Sequence, residues 1–141
     1  MNKPEYYYER KVNYYETDKM GIVHHSNYIR WFEEARVEYM EARGYTYSKM
    51  ESEGVMIPVL YADCRYRTPA RFGQTVVIHV WVEKFEGAKM DGAYEVNDKE
   101  TGQLIVTGHT GHCFVDAVSF RPLRIRKAHP EMAAIFEGSG E

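Results

Sequence analysis

An acid, a glycine and two histidines crowd the stretch Tyr14 to Arg36, YYETDKMGIVHHSNYIRWFEEAR. Asp18 precedes Gly21, and His24 and His25 stand directly before a run with helical spacing. The start of a helix carries unpaired N–H groups and a partial positive charge. Such an end can hold an anion, or an oxygen that becomes negative during a reaction. A carboxylate on the preceding loop can face the same space. Together they suit attack on an acyl carbonyl, with Asp18 as base or nucleophile and the N–H groups around His25 and Ser26 polarising the oxygen. A plainer reading stands beside this one: an aspartate in a turn commonly bonds nearby backbone, and a glycine there is routine.

Metal chemistry fits the same residues less well. His24 and His25 are adjacent, and neighbouring side chains rarely converge on one ion. His109 and His112 are three apart in an apparent strand and so face opposite ways. Cys64 and Cys113 form no C-x-x-C spacing. They read as two small buried residues in a reducing compartment. No metal or other cofactor is expected.

The elements that must position Asp18 follow from periodicity. From Asn27 to about Arg43, Tyr28, Trp31, Phe32, Ala35, Tyr39 and Ala42 repeat at the spacing of one helical face. Ser26 or Asn27 can cap its start and Gly44 its end. Arg30 and Glu34 form a minor opposite-charge pair along it. A long helix with so aromatic a face needs a broad apolar surface to lie on. YYYERKVNYYE before it reads as a strand. After it come VMIPVLYADCRYRTPA, with a break at Pro58, then TVVIHVWVEKFE, AYEVND and QLIVTGHTGHCFVD. Gly108 and Gly111 in the last of these mark a bend, a bulge or a close backbone approach. HPEMAAIF reads as a short final helix. Short connections between the later strands imply antiparallel pairing. The fold class is α+β: a curved antiparallel five-stranded sheet around one long central helix.

Composition sets the outer limits. The chain has 141 residues, 44% hydrophobic and 28% charged, with a net charge of -3. That suits a single domain over residues 1–141. The mild acidity argues against a nucleic-acid partner. No apolar run approaches a membrane span, and the N-terminus lacks the apolar core of a signal peptide, so a cytoplasmic location is expected.

The Tyr14–Arg36 stretch resembles the signature of hotdog-fold acyl-CoA thioesterases of the 4-hydroxybenzoyl-CoA thioesterase and YbgC type. The matching residues are Tyr14, Glu16-Thr17-Asp18, Gly21-Ile22-Val23, His25, Tyr28, Phe32-Glu33 and Ala35-Arg36. The resemblance continues through YRTPARFGQTVVI into GHTGHCFVD and covers about Val12 to Ile125. It implies a thioester hydrolase with Asp18 as the catalytic carboxylate. His25 would contribute at the head of the helix through its backbone N–H and its side chain, and Tyr14 would stand near the active site. It implies Gly21 as the hinge that folds Asp18 back to the helix end. An acyl-CoA substrate needs a basic rim for its phosphates, for which Arg121, Arg124, Arg126 and Lys127 are candidates and Arg65, Arg67 and Arg71 rivals. It further implies a homodimer or homotetramer with each site at a subunit boundary. Two positions depart from the family: Gln74 stands where aspartate is frequent, and Arg126 where proline is. Two other functions remain open on the same fold, a non-catalytic acyl-CoA or small-ligand binder and a dehydratase or acyl-carrier enzyme, which the Glu-Thr-Asp and Gly-Ile-Val pattern fits poorly.

Overall fold

Alternation along the strands builds the sheet. A computed structural model describes residues 4–137. In β4 (Thr75–Phe85), Val76, Ile78 and Val80 are buried, while Val77, His79 and Trp81 on the other face are half-buried. β4 pairs on one side with β1 (Glu5–Lys11) and on the other with β5 (Lys89–Asp98). β6 (Leu104–Cys113) follows β5, and β3 (Val59–Tyr66) closes the far edge. The order is β1-β4-β5-β6-β3, antiparallel at every step. Pro58 lacks an N–H and interrupts the segment before β3, leaving the two-residue β2 (Val55–Met56) to pair separately with β7 (Val115–Asp116).

The long helix, α1 (Ser26–Ala42), lies on the buried face against β1, β4 and β3. It buries Tyr28, Trp31, Phe32, Ala35, Tyr39 and Met40. Burying a side chain such as Phe32 or Met40 stabilises by roughly 1.5–3 kcal/mol before entropy is counted. Ala42, expected on this face, is exposed, because the helix ends with it. Gly44 follows at φ 89°, where its N–H still reaches the Glu41 carbonyl. Three short helices accompany α1: α2 (Tyr47–Ser52), α3 (Ile125–Ala128) and α4 (Pro130–Ala134). The expected final helix in HPEMAAIF is α4, and α3, which periodicity did not suggest, precedes it across His129. Among the described residues no helix is long and apolar enough to cross a membrane.

Gly108 settles how closely α1 approaches the sheet. β6 pairs evenly on both sides at this point, so the glycine marks neither a bend nor a bulge. A Cβ there would lie 2.5 Å from the Asp63 carbonyl oxygen and closer still to the Phe32 ring. That ring stacks on Tyr94, with centroids 4.4 Å apart and planes 11° apart. The missing side chain is what lets helix and sheet meet.

The first strand ends sooner than its tyrosines suggest. β1 stops at Lys11, and Tyr14–Glu16 form a 3-10 turn. The cause is Glu16, which is 4% exposed. Its Oε1 accepts from the Asn13 N–H and the Arg10 guanidinium, both at 2.8 Å, and its Oε2 from the Trp31 indole at 3.0 Å. Arg10 also reaches Glu34, at 2.8 Å, so Glu34 pairs across to the strand rather than along its helix with Arg30. One carboxylate thus joins strand, turn and helix.

Two stability outcomes follow. Gly108→Ala is expected to lower stability by about 1–3 kcal/mol through overpacking against backbone that cannot yield, measured by urea denaturation. Burial works to raise the Glu16 pKa, but Arg10, Asn13 and Trp31 outweigh it and hold the carboxylate below its ordinary 4.5. A lowered folded pKa contributes stability that is present above the unfolded value and lost as pH falls through the folded one. Glu16→Gln leaves the half-buried Arg10 with Glu34 as its remaining ion pair. It is expected to cost about 1.5–3 kcal/mol near neutral pH and to flatten the loss of stability below pH 4.5, read from melts across pH.

Candidate active site

The loop from Thr17 to His25 is pinned at both ends. Glu16 holds the far end through its backbone: its carbonyl accepts from the His24 N–H at 2.8 Å and from the Asn27 side chain at 2.9 Å. Between these ends the chain makes a narrow hairpin. Asp18 N–H donates to Ile22 and Gly21 N–H to Asp18, with Gly21 at φ 79°. A left-handed residue is needed there, and glycine supplies it without strain. The hairpin docks on the segment before β4: Ile22 bridges to Arg71, and Val23 N–H donates to Ala70 at 2.8 Å.

This folding brings Asp18 and His25 to one cavity of about 280 Å³, lined also by Met20, Ile22, Tyr28 and Tyr66. Arg67, Thr68 and Pro69 complete its wall. One carboxylate oxygen of Asp18 accepts from the Met20 N–H at 2.8 Å. Its other oxygen has no partner among the described residues. Tyr28 is 3% exposed, its hydroxyl accepts from the Ala70 N–H at 3.3 Å, and burial raises its pKa.

His25 itself caps α1, in place of Ser26 or Asn27. Asn27 is spent on Glu16, and the Ser26 N–H is met by the His24 ring, whose Nδ1 lies 3.2 Å away. The Asn27 N–H goes to the His24 carbonyl. Among the described residues no acceptor meets the His25 N–H. The head of the helix therefore keeps one N–H without a partner, on a residue that lines the same cavity as Asp18. The His25 ring stacks on His24 at 4.2 Å and meets the Tyr66 ring edge-on at 6.4 Å. This combination can take an acyl group: a carboxylate oxygen, an N–H for a developing oxyanion, and an apolar wall.

Other expected site residues fall elsewhere. Tyr14 is 75% exposed, with its ring edge against Phe72, outside the cavity. Arg121, Arg124, Arg126 and Lys127 lie at the opposite end of the sheet in the same chain. Ile125 N–H donates to Gly87, just past β4, and Arg126 packs over Phe85 while its Nε donates to Glu137 at 3.1 Å. β4 separates that end from Ala70 and the cavity by roughly 35 Å. Arg67 and Arg71 are the basic residues at the cavity's own end. Gln74, where relatives often carry aspartate, closes the turn before β4: its carbonyl accepts from the Arg71 N–H and its amide donates to Asp98 at 2.8 Å. Spacing left Tyr66, Thr68 and Pro69 unassigned and placed Tyr28 only in the core. They meet Asp18 through a contact between the loop and the segment before β4, which no local pattern records.

The comparisons with known proteins agree with this geometry. The pattern of the thioesterase-like superfamily matches residues 12–136. YneP of Bacillus subtilis (strain 168), provisionally named an acyl-CoA thioesterase, is 38% identical over 129 residues, covering 92% of this chain and 93% of its own. The acyl-CoA thioester hydrolase YbgC of Escherichia coli O6:H1 is 26% identical over 128 residues, covering 91% and 95%. The crystal structure of a DHNA-CoA thioesterase from Staphylococcus aureus superposes with a TM-score of 0.88 at 32% identity, covering 94% of this chain and 88% of that one. A five-stranded antiparallel sheet, an acid and a helix end sharing one cavity, and a family pattern over nearly the whole chain converge: this protein belongs to the thioesterase-like superfamily.

Proposed function

We propose that the protein hydrolyses acyl-CoA thioesters in the cavity shared by Asp18 and His25. The observation that supports this reading is that Asp18, with one carboxylate oxygen unpartnered, and His25, at the head of α1, line the same cavity. The thioester carbonyl oxygen rests on that N–H. Asp18 either removes a proton from water, which attacks the carbonyl carbon, or attacks it directly to form an anhydride that water opens. In both routes the C–S bond breaks, the coenzyme leaves as its thiol, and the acyl group leaves as a carboxylic acid. Negative charge builds on the carbonyl oxygen only in the transition state, so the N–H contributes most there. The His25 ring assists at the cavity mouth, and Tyr14 borders the approach from the surface. Arg67 and Arg71 are placed to meet coenzyme phosphates; Arg121, Arg124, Arg126 and Lys127 can do so only for a site other than their own chain's. The fold is read as a hotdog, one domain over 1–141 with its sheet curved around α1. Cys64 and Cys113 are both free thiols, which suits a reducing cytoplasm.

The two sheet edges support self-association through β3. The β1 edge carries Glu5, Glu9, Arg10 and Lys11, a charged border of the kind that discourages pairing. β3 instead exposes Val59 (53%), Leu60 (54%), Tyr61 (46%) and Tyr66 (56%), with the charges of Asp63 and Arg65 confined to its middle. Pairing of two β3 edges around a two-fold axis buries them and sets a second chain beside Tyr66 and the cavity.

Asp18→Asn is expected to lower kcat on acyl-CoA substrates about 100-fold or more while KM moves little, since the carboxylate acts in the transition state. Unchanged turnover would leave a ligand-binding role instead. In light scattering the protein is expected at no less than twice its 16.5 kDa mass, and Leu60→Lys is expected to shift it toward the monomer.

A further inference from the structure

Arg36 is buried on α1 with no acid to balance it. It is 8% exposed and forms no ion pair among the described residues. Its Nη1 donates to the Tyr94 hydroxyl at 3.1 Å, and the Tyr47 hydroxyl is its second, equally neutral, partner. Because a guanidinium only donates, the bond to Tyr94 orients everything behind it. Tyr94 accepts from Arg36 and so gives its own proton to Thr110, 2.6 Å away. Thr110 then donates to His112 Nε2 at 2.8 Å. His112 is 1% exposed, and its Nδ1 makes no hydrogen bond, although the Pro58 carbonyl lies close to the ring. Burial, reinforced by the Arg36 charge, holds the His112 pKa down to about 3, so the ring is neutral. The chain of groups Arg36, Tyr94, Thr110, His112 carries one permanent positive charge and no negative one.

A buried guanidinium without a partner is costly, and proteins pair such charges almost without exception. Arg36 opens on a cavity of about 320 Å³ walled by Tyr47, Met50, Val55, Ile57 and Pro58. Met50 and Val55 are each 1% exposed, so the wall behind the charge is apolar. Glu33 and Glu51 also line this cavity, but both are exposed at its rim, where water screens them. The space holds on the order of ten water-sized groups. It shares no lining residue with the Asp18 cavity, and Arg36 lies about 16 Å along α1 from His25.

The geometry points to a second binding site here, for a small organic carboxylate whose charge meets Arg36 and whose apolar body fills the space between α1, α2 and β2. Guanidinium–carboxylate pairing supplies the missing anion, and the apolar wall selects an organic acid over an inorganic ion. A fitting acid can be the product of the hydrolysis proposed above or an unrelated metabolite; the site itself stands without that reading.

Calorimetric titration of the full chain with benzoate and with octanoate at pH 7 tests this, with sulfate as the inorganic control. Wild type is expected to bind at least one of the acids with a millimolar or tighter Kd and sulfate at least tenfold more weakly. Arg36→Met is expected to weaken binding tenfold or more. Ile57→Trp, which fills the cavity and leaves the charge in place, is expected to block it and serves if Arg36→Met does not fold. Repeating the titration in Asp18→Asn separates the two cavities: binding there is expected to be unchanged. Binding restricted to acids whose thioesters are hydrolysed identifies the reaction product, and binding of other acids as well identifies an independent effector; either result upholds the site. No binding by either acid, equal binding by wild type and both variants, or sulfate binding as tight as the acids overturns it.

Discussion

The loop that carries Asp18 depends on the buried Glu16. Its side chain draws Arg10 of β1 and Trp31 of α1 to one point, and its carbonyl holds the His24 N–H and the Asn27 amide. Strand, helix and loop are thereby referred to a single residue. A loop anchored at one end would sample many positions for Asp18, and ordering it would cost roughly 1–2 kcal/mol per residue. With both ends held and Gly21 closing the turn, that entropy is lost on folding rather than on substrate binding. Positioning of this kind is what converts a carboxylate near a carbonyl into an effective one.

The same helix carries two kinds of buried polarity, and they behave differently. Near its start, Glu16 and Arg10 neutralise each other and spend their remaining donors and acceptors on neighbours, so the pair is satisfied in place. About one and a half turns past Trp31, at Arg36, the polar chain through Tyr94, Thr110 and His112 is linked by hydrogen bonds yet remains unbalanced in charge. The stack of Phe32 on Tyr94 links these two regions, since it fixes the phenol that Arg36 bonds. Gly108 admits that stack. A side chain at this one position would disturb the helix height and the polar chain together, although it touches neither cavity.

Much of this was legible in the residues. The aromatic spacing of α1, the alternation in β4, the break at Pro58 and the stop at Gly44 are local signals, and the structure follows them. The turn of the loop was legible too, because Asp18 and Gly21 lie three residues apart and their order encodes it. What local patterns could not carry was any pairing between distant segments. Tyr14–Glu16 read as strand because tyrosine favours strands, but a contact with Arg10 and Trp31 folds them into a turn. Ser26 and Asn27 are strong capping types, yet Glu16 takes the Asn27 amide and the His24 ring serves the Ser26 N–H. That β4 sets its length between the cluster at Arg121 to Lys127 and the Asp18 of the same chain was not visible in the spacing either. Arg36 stood inside a recognisable motif, and nothing in its spacing revealed that it would be buried without an acid.

The edge strand connects these features to catalysis. A single N–H polarises a carbonyl weakly in water, where the effective dielectric is high and water competes for the oxygen, and strongly where water is excluded. Tyr66, on the wall of the Asp18 cavity, is the last residue of the exposed β3 edge. Covering that edge with a second copy would raise the strength of the His25 N–H without moving it, and would bury the apolar faces of Val59, Leu60 and Tyr61 at the same time. Burial of that apolar surface would supply the driving force for such a pairing, and a drier cavity would be its consequence.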